Sequence, residues 1–403
     1  MTTSQTPHGT VDLRWLEELY RHLHQHPELS MQETETAAEI TRRLESCGYT
    51  VQQIGGGVVG TLANGDGPVV LTRADFDALP VTEATGLPYA STVTGTDDKG
   101  NTVGVMHACG HDMHVTGSLG AAATLAATTD TWHGTHIALF QPGEEIAAGA
   151  QSMVDDDLVT KVPKPDVCLA QHVLTLPTGT VSTSAGAVLS AADSIRITLY
   201  GDGSHGSMPH LGIDPIVLAG AVIMRLQGIV SRVIAPGDFG VVTVGSVQAG
   251  SQANIIPDRA VLLLNVRTYD DAVRTKVLAA IEQIIRAECQ ASGSPQEPDI
   301  EYYDRFPLTN NSAEVNDTVT AAFVSEFGQG HVNHLAPQTA SEDFSIVPDA
   351  FGSPYCYWGL GGFAPDQEIF GNHNPKFAPT VHPTLETGTR ALVAAVRAWL
   401  ADE

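Results

Sequence analysis

Basic residues are scarce. The chain carries 20 Lys and Arg against 46 Asp and Glu, a formal charge of −26. So acidic a surface repels the phosphates of nucleic acids and the headgroups of anionic membranes, and neither is an expected partner. Cysteines are also few. Cys47, Cys109, Cys168, Cys289 and Cys356 form an odd set at wide spacings, which argues against a disulfide framework and for a reducing compartment. Unbroken apolar runs of about 20 residues, the length of a bilayer-spanning helix, are missing. The opening MTTSQTPHGTVDLRW has no basic start followed by an apolar stretch, so no signal peptide is expected and the cytoplasm is the expected location. What remains is an ordinary globular composition, 42% hydrophobic. At 403 residues the chain is long for one core, so two domains are expected.

Helical and strand signals alternate in the first part. VDLRWLEELYRHLHQHPE sets Leu13, Leu16, Leu19, Tyr20 and Leu23 at helical spacing and stops at Pro27. ETETAAEITRRLESCG predicts a second helix, ended by Gly48. GVVGTLA, PVVLTRADF, THIALF and DVCLAQHV read as strands, the last ending at His172, and a helix follows GHDMH. Such alternation implies an α/β sheet, partly parallel, with ligands gathered beyond the carboxyl ends of its strands. Asp75, Glu144, Glu145 and His172 fall there. From about Ala191 the order becomes β-α-β-β-α-β, which is ferredoxin-like. Its first helix, DPIVLAGAVIMRLQGIVSRVI, has Asp214 suited to cap it and Pro215 to its first turn. The expected organisation is a split α/β catalytic domain, residues 1–189 and 305–403, with an inserted α+β lid, residues 190–304.

The densest chemistry is MHACGHDMH, residues 106–114. Cys109 and His111 here, Glu144 and Glu145 after THIALF, His172, and His373 in GNHNPKF combine thiolate, imidazole and carboxylate. That set suits Zn²⁺ first, with Mn²⁺, Co²⁺ or Ni²⁺ as alternatives. Five or so ligands are too many for one tetrahedral catalytic ion and fit two ions roughly 3.5–4 Å apart. One of the adjacent glutamates would bind metal and the other take a proton from water; spacing does not say which. His24 and His26 in HLHQHPE look metal-like but end a helix before a proline, and are read as structural. Asp112 and His114 either orient the ligands or simply open a helix, Asp112 favouring its dipole.

RADFDALP (73–80), MHACGHDMH (106–114), QPGEE (141–145), QHV (171–173), GSHGSMPH (203–210), NIIPD (254–258), SEDF (341–344) and HNPKF (373–377) follow one another in that order. Together they resemble the amidohydrolase branch of the aminoacylase and carboxypeptidase-like di-metal peptidases, to which hippurate hydrolases and indole-acetyl-amino-acid hydrolases belong. The resemblance runs nearly end to end. It implies a zinc-peptidase-like mixed sheet flanked by helices, and a lid that often dimerises, hence a homodimer or dimer-based oligomer through the lid. By matching position it makes Cys109, His111, Glu145, His172 and His373 the ligands of two divalent metal ions, and Glu144 the general base. His205 matches a histidine that reaches the reacting carbonyl, often from the partner subunit. Asn254 and Arg267 match lid residues that meet the substrate. An arginine beside the apolar strand LLLNV is also a reasonable anchor for a substrate carboxylate. Two departures stand out. Asp75 occupies the place where many relatives outside this branch carry His, and acts as a sixth ligand or through hydrogen bonds, the second being expected. Leu264 and Asn265 precede Arg267 where Gly-Thr is common in the branch.

The expected reaction is hydrolysis of an N-acyl amino acid to a carboxylic acid and a free amino acid by metal-activated water. A dipeptidase or carboxypeptidase of the same family shares the machinery. A cysteine hydrolase using Cys109 with His111 or His114 is a rival of another class, but it leaves the glutamates, His172 and His373 idle. A non-catalytic metal-binding protein is a third reading, and it gives a free base no purpose.

Overall fold

Apolar strands alternate with helices through the first part of the computed structural model, which describes residues 3–6 and 9–401. The helices are α1 (Leu13–Gln25), α2 (Thr34–Ser46) and α3 (His111–Ala126). The strands are β1 (Thr50–Ile54), β2 (Gly57–Asn64), β3 (Val69–Asp75), β4 (Gly134–Gln141), β5 (Val167–Pro177) and β6 (Val181–Thr183). There follow β7 (Ala191–Tyr200), α4 (Pro215–Leu226), α5 (Gly228–Arg232), β8 (Gly240–Ala249), β9 (Arg259–Thr268), α6 (Asp271–Ser292) and β10 (Asp299–Phe306). The chain closes with α7 (Ala313–Phe327), β11 (Val332–His334), β12 (Tyr355–Phe363) and α8 (Val381–Leu400). Backbone proximity divides it into two units. Met1–Val188, Asn310–Ala336 and Asp343–Glu403 form the first, and Leu189–Thr309 with Pro337–Glu342 the second.

The first unit holds an eight-stranded mixed sheet in the order β11-β6-β12-β5-β3-β4-β2-β1. Its centre, β12-β5-β3-β4, is parallel, and β2 returns antiparallel beside β4. Nearly every residue of β3 and β12 is buried, as are the first seven of β5, the pattern of strands covered on both faces. One core joins Val70, Leu169 and Trp358 of the sheet to α7 and α8; another joins Val58, Ala74 and Phe140 to α1 and α2. Helix α3 contributes to both and is buried almost all round, so its side chains are held from every side. Strand β5 does not end at His172. It runs on to Pro177, because β12 continues to pair with it beyond Gly359, the partner of His172.

Helix α2 begins without a cap of its own. Glu28 supplies one, its carboxylate accepting from the Glu35 and Thr36 amides at 3.1 and 2.8 Å. Nearby, His24 lies buried at the end of α1 and spends both ring nitrogens on carboxylates. Nδ1 reaches Asp112 at 2.7 Å and Nε2 reaches Glu83 at 3.1 Å. Burial alone would lower the His24 pKa, but the two carboxylates overcome it and raise it to about 10. A folded pKa above the ordinary value of about 6.5 means that folding takes up a proton between those limits. The stabilisation is complete below about pH 6.5 and is lost as pH rises through about 10. Urea midpoints measured across that range should therefore fall for the wild type relative to His24→Gln. Parallel curves would show that His24 is uncharged in the folded protein.

The second unit holds a four-stranded antiparallel sheet in the order β8-β9-β7-β10. With α4 and α6 in chain order this is the β-α-β-β-α-β arrangement. Asp214 caps α4 by accepting from the Ile216 and Val217 amides. The single helix expected over residues 214–234 breaks into α4 and α5 at Gln227, before Gly228, a residue that costs a helix interior about 1 kcal/mol. The break turns Ile229 into the same core as Leu218, Val222 and Leu226. By length and composition the segment Pro215–Arg232 could cross a membrane; here it packs on its sheet along that stripe and exposes Val217 and Met224. The second unit also takes in Pro337–Glu342, outside the expected 190–304, because the Ser190 amide bonds the Ala340 carbonyl at 2.9 Å. Asp193, fully buried, ties the unit together. It receives two hydrogen bonds from Arg274 at 2.7 and 2.8 Å and one from Arg305 at 2.7 Å.

Candidate metal centre

Parallel register brings the ends of β3 and β4 together, Asp75 opposite Gln141. The loops leaving them carry Asp77 and the Glu144–Glu145 pair. Between Cys109 and His111 the chain turns at Gly110, whose φ is +83°. A Cβ there would run into Val173 Cγ1, so glycine is required by both conformation and space. The turn leaves Cys109 outside α3 and makes His111 its first residue.

The five predicted ligands converge within the first unit. Cys109 Sγ, a His111 nitrogen and a Glu145 oxygen lie within 4.8 Å of one another. Cys109 Sγ is 3.5 Å from His172 Nε2, and Glu145 Oε2 is 3.2 Å from His373 Nε2. Glu144 Oε2 stands 3.9 Å from His111 Nε2. All are buried or half-buried except the side chain of His373, which is 55% exposed, so the cluster opens on that side. His373 holds a left-handed backbone, φ +70°, anchored by its amide to the Ala108 carbonyl at 2.7 Å.

The far side of each buried imidazole is fixed. His172 Nδ1 donates to the Val173 carbonyl at 2.8 Å, so its Nε2 is a lone pair facing the thiol. His111 Nδ1 lies 3.0 Å from Asp77 Oδ1. Burial would lower the His111 pKa, but Asp75, Asp77 and Cys109 raise it well above its ordinary value. The same negative surroundings attract any cation. At the middle, His111 Nε2 and Glu145 Oε1 face each other 3.8 Å apart, and both are buried without a hydrogen-bond partner among the described residues. Each such atom costs about 1–3 kcal/mol, which a cation bound to both would remove. Thiolate, imidazole and carboxylate are the donors of zinc-type catalytic sites, and the cluster suits two metal ions.

Asp77 is the residue whose role the sequence did not reveal. Besides His111 it accepts from the Glu145 amide at 3.1 Å and the Ser30 hydroxyl at 2.7 Å, so one carboxylate orients a ligand ring and the turn bearing both glutamates. Its signal was the DFD repeat at the end of β3, two acids at strand spacing. Asp75 accepts from His114 with one oxygen and from Arg73 with the other, at 2.6 Å for Arg73, which matches a hydrogen-bonding role and not a sixth ligand. Asp112 is engaged by His24 and by the Met113 amide.

His205, Asn254 and Arg267 belong to the second unit. His205 and Asn254 are brought together there, the Gly206 amide bonding the Asn254 carbonyl at 2.7 Å. His205 is exposed, and its Nδ1 accepts from the Ser207 amide at 3.1 Å, which leaves Nε2–H to donate outward. Arg267, near the end of β9, is half-buried. Nε donates to Asn265 at 2.8 Å and Nη1 to Ser341 at 2.5 Å. Asn265, one of the departures from the branch pattern, thus aims the guanidinium.

Comparison with known proteins places this geometry. The profile of Peptidase family M20/M25/M40 matches residues 71–398. Hippurate hydrolase of Campylobacter jejuni is 37% identical over 356 residues, 86% of this chain and 88% of that protein. Thermostable carboxypeptidase 2 of Saccharolobus solfataricus is 33% identical over 371 residues, 90% of each. A dinuclear metal-binding peptidase of the M20 family from Bacillus subtilis superposes with a TM-score of 0.77 at 29% identity, over 95% of this chain and 98% of that one.

Proposed function

Because the chain belongs to peptidase family M20/M25/M40, and is thereby a metal-dependent hydrolase of amide bonds, we propose that its substrates are N-acyl amino acids, cleaved to a carboxylic acid and a free amino acid. The observation that carries the hydrolytic reading is the convergence of Cys109, His111, Glu145, His172 and His373 around two buried, unpartnered polar atoms. Zinc is the ion the donor set favours, with manganese, cobalt and nickel as alternatives. When bound, two ions would polarise the acyl carbonyl and bring the pKa of a water towards about 7.

The rest of the work falls to side chains. Glu144 takes a proton from the attacking water and later delivers it to the leaving nitrogen. His205 donates Nε2–H to the acyl oxygen as negative charge develops, a contribution of about 2.7–4 kcal/mol for one such donor. Arg267 and Asn254 hold the substrate carboxylate; the planar fork of Arg267 is already oriented by Asn265 and Ser341. The likeness to hippurate hydrolase supports an acyl amino acid. The likeness to a carboxypeptidase keeps free peptides as the second reading.

Dialysis against a chelator should abolish turnover, and added Zn²⁺ or Mn²⁺ should restore it. Activity that survives metal removal but dies on thiol alkylation would hand the chemistry to Cys109. On one preparation, acylated amino acids should be cleaved at least tenfold faster than free dipeptides; the reverse order would make the enzyme a peptidase. The second unit exposes Leu211 (63%), Val217 (68%) and Met224 (75%). Exposed apolar side chains of this size fit contact with a second copy of the chain, and a monomeric mass in sedimentation would exclude it.

A further inference from the structure

One buried group beside the metal centre has no part in the reaction above. Asp75, His111, His114 and His172 each bring one ligand-type atom within 4.8 Å of the others. By residue type this is a four-ligand metal site. The hydrogen bonds assign it differently. A backbone amide can only donate, and Val173 donates to His114 Nε2 at 2.8 Å, so that nitrogen is unprotonated and engaged. The ring proton therefore sits on Nδ1 and is directed at Asp75 Oδ1. Asp75 Oδ2 accepts from Arg73 Nη1 at 2.6 Å. Both nitrogens of His114 and both oxygens of Asp75 have partners.

Val173 extends the chain of contacts. Its carbonyl accepts from His172 Nδ1 at 2.8 Å, and from Asn372 Nδ2 at 3.4 Å. Val173 is thus held at its N–H by His114, while its own carbonyl, one peptide further on, holds the His172 ring. The His114 ring also fills the gap between two predicted ligands. It lies nearly parallel to His111, with centroids 5.4 Å apart at 29°, and edge-on to His172, at 4.4 Å and 69°. Arg73 and Asp75 anchor the far end, both fully buried.

Resting on the two-ion centre, the geometry points to His114 as a positioning residue and not a ligand: braced on Asp75, it holds the Val173 peptide, and through it aims the His172 Nε2 lone pair at the cation beside Cys109.

The whole chain, stripped with chelator and titrated with Zn²⁺ and with Co²⁺, tests this. H114F keeps a ring and loses both hydrogen bonds; H114Q keeps an amide that can accept from Val173. The wild type should take up two equivalents. H114F should also take up two, the weaker about 10–100-fold less tightly, with an altered visible Co²⁺ spectrum for that equivalent, and H114Q should lie between. Wild-type affinity and spectrum in H114F would overturn the assignment. Complete loss of one equivalent in both variants would overturn it too, by making His114 a ligand. If H114F does not fold, H114N, whose amide is too short to reach Val173, takes its place with the same two outcomes. A wild type that binds fewer than two equivalents removes the two-ion reading itself, a failure visible before any variant is made.

Discussion

Glu144→Gln should lower kcat for the preferred acyl amino acid by about 10²–10⁴-fold, the worth of a placed proton acceptor, while both metal equivalents remain. Gln has the shape of Glu and cannot accept the proton. The two neighbouring glutamates are distinguished by what surrounds them. Glu145 has one oxygen 3.2 Å from His373 Nε2 and the other unpartnered opposite His111, as a ligand would. Glu144 stands at the first position of the same short turn, Glu144–Ile146, 3.9 Å from His111 Nε2. Glu145→Gln should accordingly release metal, and Glu144→Gln should not. Metal content and kcat measured on both variants decide the matter. A Glu144→Gln enzyme with near wild-type kcat removes Glu144 from the base role, and metal loss in that variant exchanges the two assignments.

Arg73→Met should be the most destabilising single change in the first unit. The Arg73 side chain is 0% exposed and meets two equally buried carboxylates, Asp75 at 2.6 Å and Asp343 at 3.2 Å, with Nε on Gln141 at 2.8 Å. Removing the cation takes a positive charge from two buried anions and leaves them with hydrogen bonds, to Asp75 from His114 and to Asp343 from Gln141 and Ala150, a loss of about 3–5 kcal/mol. Total stabilities run about 5–15 kcal/mol, so the loss is a large share. Methionine keeps most of the volume, which separates the charge effect from a cavity. The urea midpoint should fall steeply, and Arg73→Met with Asp343→Asn should recover part of the loss. An unchanged midpoint would mean that the carboxylates are protonated or otherwise paired.

The alternation of strand and helix was legible because it is local. Val69–Asp75 and Gly134–Gln141 hold short apolar runs, and Leu13–Gln25 sets its apolar residues at helical spacing, each within consecutive residues. The second unit was legible for the same reason, down to Asp214 as a cap. Two boundaries were misread where distant pairing intervened. β5 runs past His172 because β12 lies beside it, and residues 337–342 join the second unit because they bond to Ser190.

Residue types by themselves narrowed the chemistry of this protein: thiolate, imidazole and carboxylate recurring near strand ends point to a divalent metal site, and the ordered motifs that resemble the di-metal peptidases supplied its ligands and the hydrolysis. Only the tertiary structure decided what each neighbouring group does. Asp77 turned out to aim His111, Asp75 to be taken by Arg73 and His114, and His24 to sit between two carboxylates. Apart from the Arg73–Asp75 pair, two residues apart, those roles depend on which atom faces which across separations of 34 to 88 residues. Hydrogen-bond direction at a buried nitrogen is a through-space property, and no pattern of neighbours along the chain encodes it.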